Sequence, residues 1–394
     1  MRAEGPSSSR NAPTSTSSVE SRAEADGTRS VPATAAARLI AFYLPQFHPI
    51  PENDLWWGKG FTEWTNVTKA KPIFRGHEQP HFPADLGYYD LRVPEVRQRQ
   101  AQLAREYGIY GFCYYHYWFN GRRVLQRPFD EVLESGQPDF PFCLCWANEN
   151  WTRSWDGKEQ NVLLAQDYGA ADDIDHIRWL APALSDPRYI RVDGKPLFLV
   201  YRAGRLPDAP ATIDRWRTEA RSLGVGELFL CCVESFRDEL GGPQAMGFDA
   251  AVEFQPRWGD LGRHLRTGRA WRWSRRLRLT DRAYGHHYIF EYETCVNAAL
   301  RQTPPAYPRI PCVCPSWDNS ARRGEWAVIL KNSRPDLYEK WLRKVLEDSA
   351  SSSPGNIIFI NAWNEWAEGN HLEPCQRWGR AYLEATGRAL GIRR

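Results

Sequence analysis

The chain lacks any run of ~18 or more apolar residues, the length a bilayer-spanning helix needs, so no segment reads as a membrane span. It also lacks a charge bias. Lys plus Arg number 51 against 48 Asp plus Glu, and the formal net charge of +3 is too near balance for a dedicated nucleic-acid binder. There is no phosphate loop, no dinucleotide fingerprint and no metal-spaced His cluster, so no cofactor and no metal are expected. Cysteine does not form a bridging framework: nine is an odd count, and Cys113, Cys143, Cys145, Cys231, Cys232, Cys312 and Cys314 lie in apolar runs, where thiols act as small buried hydrophobes. Residues 1–36 are rich in Ser, Thr, Ala and Arg and have no apolar secretion core. They read as a disordered tail before a domain over 37–394, and unpaired cysteines make the cytoplasm the expected compartment.

Aromatic rings are what the chain has in excess: 18 Trp, 17 Tyr and 17 Phe, more than a core needs. Flat rings are surfaces on which sugar C–H faces stack, which biases the reading toward carbohydrate. Short apolar runs alternate with helix-like stretches to the C-terminus: 39–43, 109–115, 140–146, 196–201, 227–233, 248–254, 310–314 and 356–360. Eight strand-helix units with nearly continuous apolar strands imply a (β/α)8 TIM barrel, whose strands are buried on both faces. A doubly wound sheet is the alternative; it wants a glycine loop after its first strand, and Tyr43-Leu-Pro-Gln-Phe-His48 has no glycine.

Two long loop insertions are expected at the C-terminal face. Residues 44–92 hold Trp56, Trp57, Glu63 and His81, and a loop of that length in a compact domain is usually functional. The second, around 255–285, interleaves Arg263, Arg266, Arg269, Arg272, Arg275, Arg276, Arg278 and Arg282 with Trp271 and Trp273. It reads either as a solvated basic face or as a contact for an acidic glycan, a diphosphate-linked donor or a membrane surface, which makes 257–282 the candidate for peripheral membrane contact.

Catalytic groups of such a barrel project from the C-terminal ends of its strands. Polar and aromatic residues collect there, and Tyr43, His116, Tyr117, Trp118, Trp146, Asn148, Glu149, Trp151, Glu253, Trp317, Asn364 and Trp366 are the candidate substrate contacts. The last run leads into Asn361-Ala-Trp-Asn-Glu-Trp-Ala-Glu-Gly369. Glycosidic chemistry needs paired carboxylates, and aromatic walls raise a carboxyl pKa by desolvation. Glu365 and Glu368, at an i, i+3 spacing, are the candidate catalytic pair; a helical turn puts them on one side, whereas an extended loop would make Glu149 or Glu234 the partner. The alternative roles are a helix N-terminal carboxylate for Glu368, a packed core ring for His116, and caps of the following loop for Asp318 and Asn319. The one Asp-x-Asp pattern, Asp173-Ile-Asp175, falls in a helix-like stretch rather than at a strand end, which weighs against a metal-dependent nucleotide-sugar transferase.

Phe42-Tyr-Leu-Pro-Gln-Phe-His-Pro49, Trp57-Gly-Lys-Gly-Phe-Thr-Glu-Trp-Thr-Asn66, Gly111-Phe-Cys-Tyr-Tyr-His-Tyr-Trp-Phe119, Cys145-Trp-Ala-Asn-Glu-Asn-Trp-Thr152 and Trp363-Asn-Glu-Trp-Ala-Glu-Gly369 resemble the WbsX family of polysaccharide-cluster proteins. That family is similar in turn to the family 99 endo-α-mannosidases. The resemblance covers about 38–390 and implies a (β/α)8 barrel, a polysaccharide or oligosaccharide substrate and a retaining endo-acting glycosidase. By the motif, Glu365 would act as base on a sugar 2-hydroxyl through an anhydro-sugar intermediate, and Glu368 as general acid and base. Ala367 stands where those hydrolases commonly have histidine. WbsX proteins are also labelled glycosyltransferases, which keeps transfer in lipopolysaccharide or O-antigen synthesis as the alternative, beside a non-catalytic glycan-binding barrel.

Overall fold

Eight parallel strands form the centre: β1 (Arg38–Tyr43), β2 (Ile109–His116), β3 (Phe142–Trp146), β4 (Lys195–Val200), β5 (Phe229–Glu234), β6 (Ala250–Glu253), β7 and β8 (Ile357–Ile360). β7 comes in two pieces, Arg309–Ile310 and Cys312–Val313, on either side of Pro311, which has no N–H to give the ladder. Its first piece pairs with β6 and its second with β8, while β8 pairs with β1, so the sheet closes on itself as a (β/α)8 barrel. The computed structural model describes residues 37–153, 158–235, 242–259, 283–349 and 352–392, with Leu261, Trp273 and Leu277. The expected tail over 1–36 and the arginines from Arg263 to Arg282, with the membrane contact they suggested, lie outside the described residues.

The strands are nearly continuous apolar runs because both faces are covered, and β3, β6 and β8 are buried at every position. Phe42 on β1 stacks on Phe359 of β8 at 5.0 Å and on Tyr115 of β2 at 5.6 Å, and it also meets Phe254, just past β6, edge-on at 5.7 Å. β1 and β6 are not neighbours, so this contact crosses the barrel interior. Tyr201 closes the layer against Phe254 at 5.4 Å and Tyr115 at 6.2 Å. The upper interior is therefore a packed aromatic floor.

Helices α1 (Pro94–Glu106), α2 (Arg127–Ser135), α3 (Ala170–Ser185), α4 (Ala209–Ser222), α5 (Tyr292–Ala299), α6 (Pro335–Ser349) and α7 (Ala381–Ala389) form the outer ring. Proline occupies the first turn of α1, α2 and α4, where its missing N–H costs nothing. After α1, Gly108 sits at φ +84°, and a Cβ there would lie 2.4 Å from Leu390 beyond α7, so the chain turns here only with glycine. Among the described residues, β5 is followed by only a short 3-10 turn, Pro243–Met246, in place of a barrel helix. The first insertion is structured: it contains helices Pro51–Trp57 and Glu63–Lys69. All nine cysteines are buried and unbridged, and no described helix is long and apolar enough to cross a membrane.

Candidate active site

At the C-terminal ends of the strands a cleft of about 580 Å³ opens above the aromatic floor, with Tyr115, Tyr201 and Phe254 at its base. One side is built by Trp56 and Trp57 of the first insertion with Trp151 after β3, and Trp258 and Trp317 also line it. Trp56 meets Trp151 edge-on at 5.5 Å, and Trp258 meets Trp317 at 5.4 Å. Glu365 and Glu368 line the same cleft.

The segment after β8 presents those two carboxylates. Asn364–Glu365 pairs antiparallel with Asn370–His371, and the connection is a 3-10 turn, Trp366–Glu368, ended by Gly369 at φ +55°. Such a turn places residues i and i+3 on one side. Both carboxylates accordingly reach one guanidinium: Arg322 Nη2 lies 2.9 Å from Glu365 Oε2 and its Nη1 lies 2.6 Å from Glu368 Oε1. Arg322 Nε also contacts Glu63 Oε1 at 2.7 Å, and Glu63 is completely buried. The extended-loop alternative does not occur. Glu149 pairs with Arg202 at 2.5 Å, and Glu234 accepts from Tyr307.

Burial is the main cause of an upward pKa shift in both carboxyls; it pushes Glu365 up to about 8, against the opposing pull of Arg322 and with added repulsion from Glu368 and Glu63. The same desolvation keeps Tyr115 and Tyr201 far above their usual range, so their hydroxyls are neutral donors.

Glu373 has a different part. It is buried and accepts from Trp366 Nε1 at 2.6 Å, Gln100 Nε2 at 2.7 Å and the Tyr89 hydroxyl at 2.8 Å. Asn364 closes the same anchor by taking the Leu44 N–H at 2.7 Å and returning a bond to its carbonyl at 3.1 Å. Two glutamates of the segment therefore face the cleft, and the third fixes its back.

Asp318 ties a third element in. Its N–H donates to the Glu368 carbonyl at 2.6 Å, and its carboxylate caps Ser320 at 3.0 Å in the 3-10 turn Asn319–Ala321 that delivers Arg322. Gln79 donates to the same carboxylate at 3.0 Å, and His77 Nε2 lies 2.7 Å away. His77 Nδ1 accepts the Ile73 N–H, so Nε2 carries the proton and donates. Asp318 thus takes the capping role and is also a clamp between three segments.

Of the sequence candidates, Tyr117, Glu149, Trp151 and Trp317 line the cleft with Glu365 and Glu368. The others turn elsewhere. Tyr43 donates to Gln100 behind β1. His116 is buried against α3, 2.9 Å from His176 and stacked on Trp179 at 4.7 Å, and burial lowers it to about 3. Trp118 stacks on His176 and donates to Asp172, and Trp146 packs on the same His176. Asn148 is fully buried and holds Arg202 by its N–H and carbonyl. Glu253 accepts from Gln255 beside Arg309. Trp366 is anchored on Glu373, and Asn364 on Leu44. The common cause is alternation: residues following a strand alternate between barrel mouth and helix layer, and a motif gives no phase. Asp173, of the Asp-x-Asp pattern, is buried in α3 and paired with Arg215 at 2.6 Å. No motif in the sequence marks Arg322, and nothing local places Glu63 beside it. The only local signal was an arginine beyond the cap of Asp318-Asn-Ser. Among the described residues no His, Cys, Asp or Glu cluster is arranged to hold a metal.

Fold and site together define a (β/α)8 barrel with a carboxylate pair at its mouth. The family model described as "Glycosyltransferase WbsX" matches residues 39–386, and the chain belongs to that family. Two curated relatives, each described as an uncharacterized protein WxcX, come from two strains of Xanthomonas campestris pv. campestris; both are 44% identical over 365 residues, covering 92% of this chain and 51% of theirs. The chain thus spans about half the length of these relatives. Among solved structures it is similar to a glycoside hydrolase-like protein (TM-score 0.55, 15% identity, covering 90% of this chain and 94% of that one). It is also similar to the GH99 endo-alpha-mannosidase from Bacteroides thetaiotaomicron (TM-score 0.53, 14% identity, 90% and 96% covered). At that identity the likeness is one of fold.

Proposed function

We propose that this barrel is a carbohydrate-active enzyme working on glycosidic bonds of a bacterial surface polysaccharide, as a retaining endo-glycosidase, with Glu365 and Glu368 as its acid-base pair. The observation that carries the reading is the placement of both carboxylates on one guanidinium at the base of an aromatic-walled cleft. Two carboxyls this close titrate as a unit, so the proton belongs to the pair. A pair holding one proton supplies an acid for the leaving oxygen and a base for the sugar side, the division that glycoside cleavage needs. Trp56, Trp57 and Trp151 offer ring faces for sugar units beside the reacting one. The motif supports Glu365 as base toward the 2-hydroxyl and Glu368 as acid and base; the latter is the more open of the two to the cleft.

The description of the family favours a second reading, transfer of a sugar from an activated donor onto a growing glycan. Release of reducing ends from purified surface polysaccharide by wild type, abolished in Glu365→Gln and Glu368→Gln, is the expected result. Transfer from a nucleotide sugar that both variants lose, with no release by wild type, would replace hydrolysis by the second reading. Activity intact in both variants would remove the pair from either.

A further inference from the structure

Three carboxylates and one guanidinium meet beneath the cleft. Glu63 comes from the helix Glu63–Lys69 of the first insertion, Arg322 from the turn after β7, and Glu365 and Glu368 from the segment after β8. Each arm of the guanidinium takes a different partner: Nε takes Glu63, Nη2 takes Glu365 and Nη1 takes Glu368, at 2.7, 2.9 and 2.6 Å. The planar fork fixes the angles between its arms, so one side chain dictates where both cleft carboxylates stand. Three carboxylates share this guanidinium, with Arg323 also acting on Glu368, so negative charge remains in excess in a buried place and full ionisation is costly. Glu63 has a second oxygen that is buried and without a hydrogen-bond partner, and it does not line the cleft. A carboxylate kept there at such cost calls for an explanation other than substrate contact.

We propose that Arg322 is the positioning residue of this site, registering Glu365 and Glu368 through separate arms of one guanidinium, and that Glu63 is the counter-charge that sets how many protons that pair keeps. The proposal rests on the reading of Glu365 and Glu368 as the acid-base pair and extends it to the residues behind them. Arg322 draws both carboxyls toward the ionised form, and Glu63 repels that form, so the two act in opposite senses on the same pair. The other titratable groups facing the cluster are Arg323, beside Glu368, and the neutral hydroxyls of Tyr115, Tyr117 and Tyr201; Glu149, nearer Tyr201, is occupied by Arg202. The first insertion thereby enters the chemistry through a residue that never touches substrate. Its Phe61-Thr-Glu-Trp-Thr-Asn66 stretch carries the counter-charge.

The test reads the carboxyls directly, without substrate. Protein labelled with carbon-13 at the glutamate side-chain carboxyls is titrated by NMR, and the Glu365 and Glu368 signals are assigned from their disappearance in Glu365→Gln and Glu368→Gln. Arg322→Gln is expected to raise the midpoints of both, and Glu63→Gln to lower both, each by about one pH unit or more. Arg322→Lys keeps the charge but loses the fork, so it should leave the midpoints close to wild type while kcat falls about tenfold or more with KM little changed. Midpoints that stay within about 0.3 unit in folded Glu63→Gln, or that rise, overturn the proposal. That variant decides even where Arg322→Gln does not fold. If no glycan is turned over or extended under any condition, the proposed reaction fails while the titration still decides the part played by Arg322.

Discussion

Glu373→Gln probes the buried anchor behind the candidate site, and the geometry says how. Wild-type Glu373 faces three donors: the Trp366 indole at 2.6 Å, the Gln100 amide at 2.7 Å and the Tyr89 hydroxyl at 2.8 Å. A glutamine keeps one acceptor oxygen and turns an NH2 toward at least one donor. The cheapest arrangement aims that NH2 at Gln100, which flips its amide and thereby takes from Tyr43 the acceptor that the tyrosine hydroxyl now uses at 2.7 Å. One buried polar group is left unpaired, at a cost of about 1–3 kcal/mol. For a domain of this length that lowers Tm by about 1–4 °C.

The pH dependence is the sharper part. Burial raises Glu373 from the usual 4.5 to about 7, outweighing its hydrogen bonds from Trp366, Gln100 and Tyr89. A folded-state pKa above the unfolded one contributes stability that is complete below about 4.5 and is lost as pH rises through 7, in all about 3 kcal/mol. Glutamine does not titrate, and Glu365 and Glu368 are shared by both proteins. The stability of wild type relative to Glu373→Gln, measured by urea unfolding from pH 5 to 8, should therefore fall by about 3 kcal/mol with rising pH, so that the variant equals or exceeds wild type by pH 8. A relative stability that rises instead would mean that the three donors hold the carboxylate ionised and that burial is not the dominant effect.

Gly369→Ala should cost about 1–2 kcal/mol in urea unfolding, since residue 369 sits at φ +55° and a Cβ would stand 3.0 Å from that of Asp318. Activity should fall with it, because Glu368 is the adjacent residue. Asp318→Ala removes the acceptor for His77 and Gln79 and the cap of Ser320; a loss of about 2–5 kcal/mol is expected, and unchanged thermal stability would refute the clamp. Trp151→Ala removes a ring from the cleft wall and should raise KM for glycan about fivefold with kcat little changed, corresponding to about 1 kcal/mol of stacking. A fall in kcat alone would place Trp151 elsewhere in the cycle.

Apolar runs of strand length recur along the chain because every barrel strand is buried on both faces, so the eight-strand architecture was legible before any coordinate. The i, i+3 spacing likewise puts the candidate pair Glu365 and Glu368 on one side, since both lie within one tight turn where sequence spacing is nearly spatial spacing. The same logic failed at His116, Trp118 and Trp146. Each follows or ends a strand, and whether such a side chain faces the cleft or the helix layer depends on the strand's phase, which residue types do not encode. Glu373 shows the limit within a single motif: nothing in its identity distinguishes it from Glu365, and only the arrival of Tyr89 and Gln100 from two other segments makes it an anchor. Arg322 and Glu63 are separated by 259 positions, and their ion pair exists because barrel closure brings the first insertion beside the turn after β7. Local pattern accounts for the strands, for helices such as α1 and for the candidate carboxylates, but not for the 3-10 turn that stands after β5. Which charges surround those carboxylates was decided by the closed sheet, because electrostatic neighbours are fixed by distance in space and chain order carries no record of it.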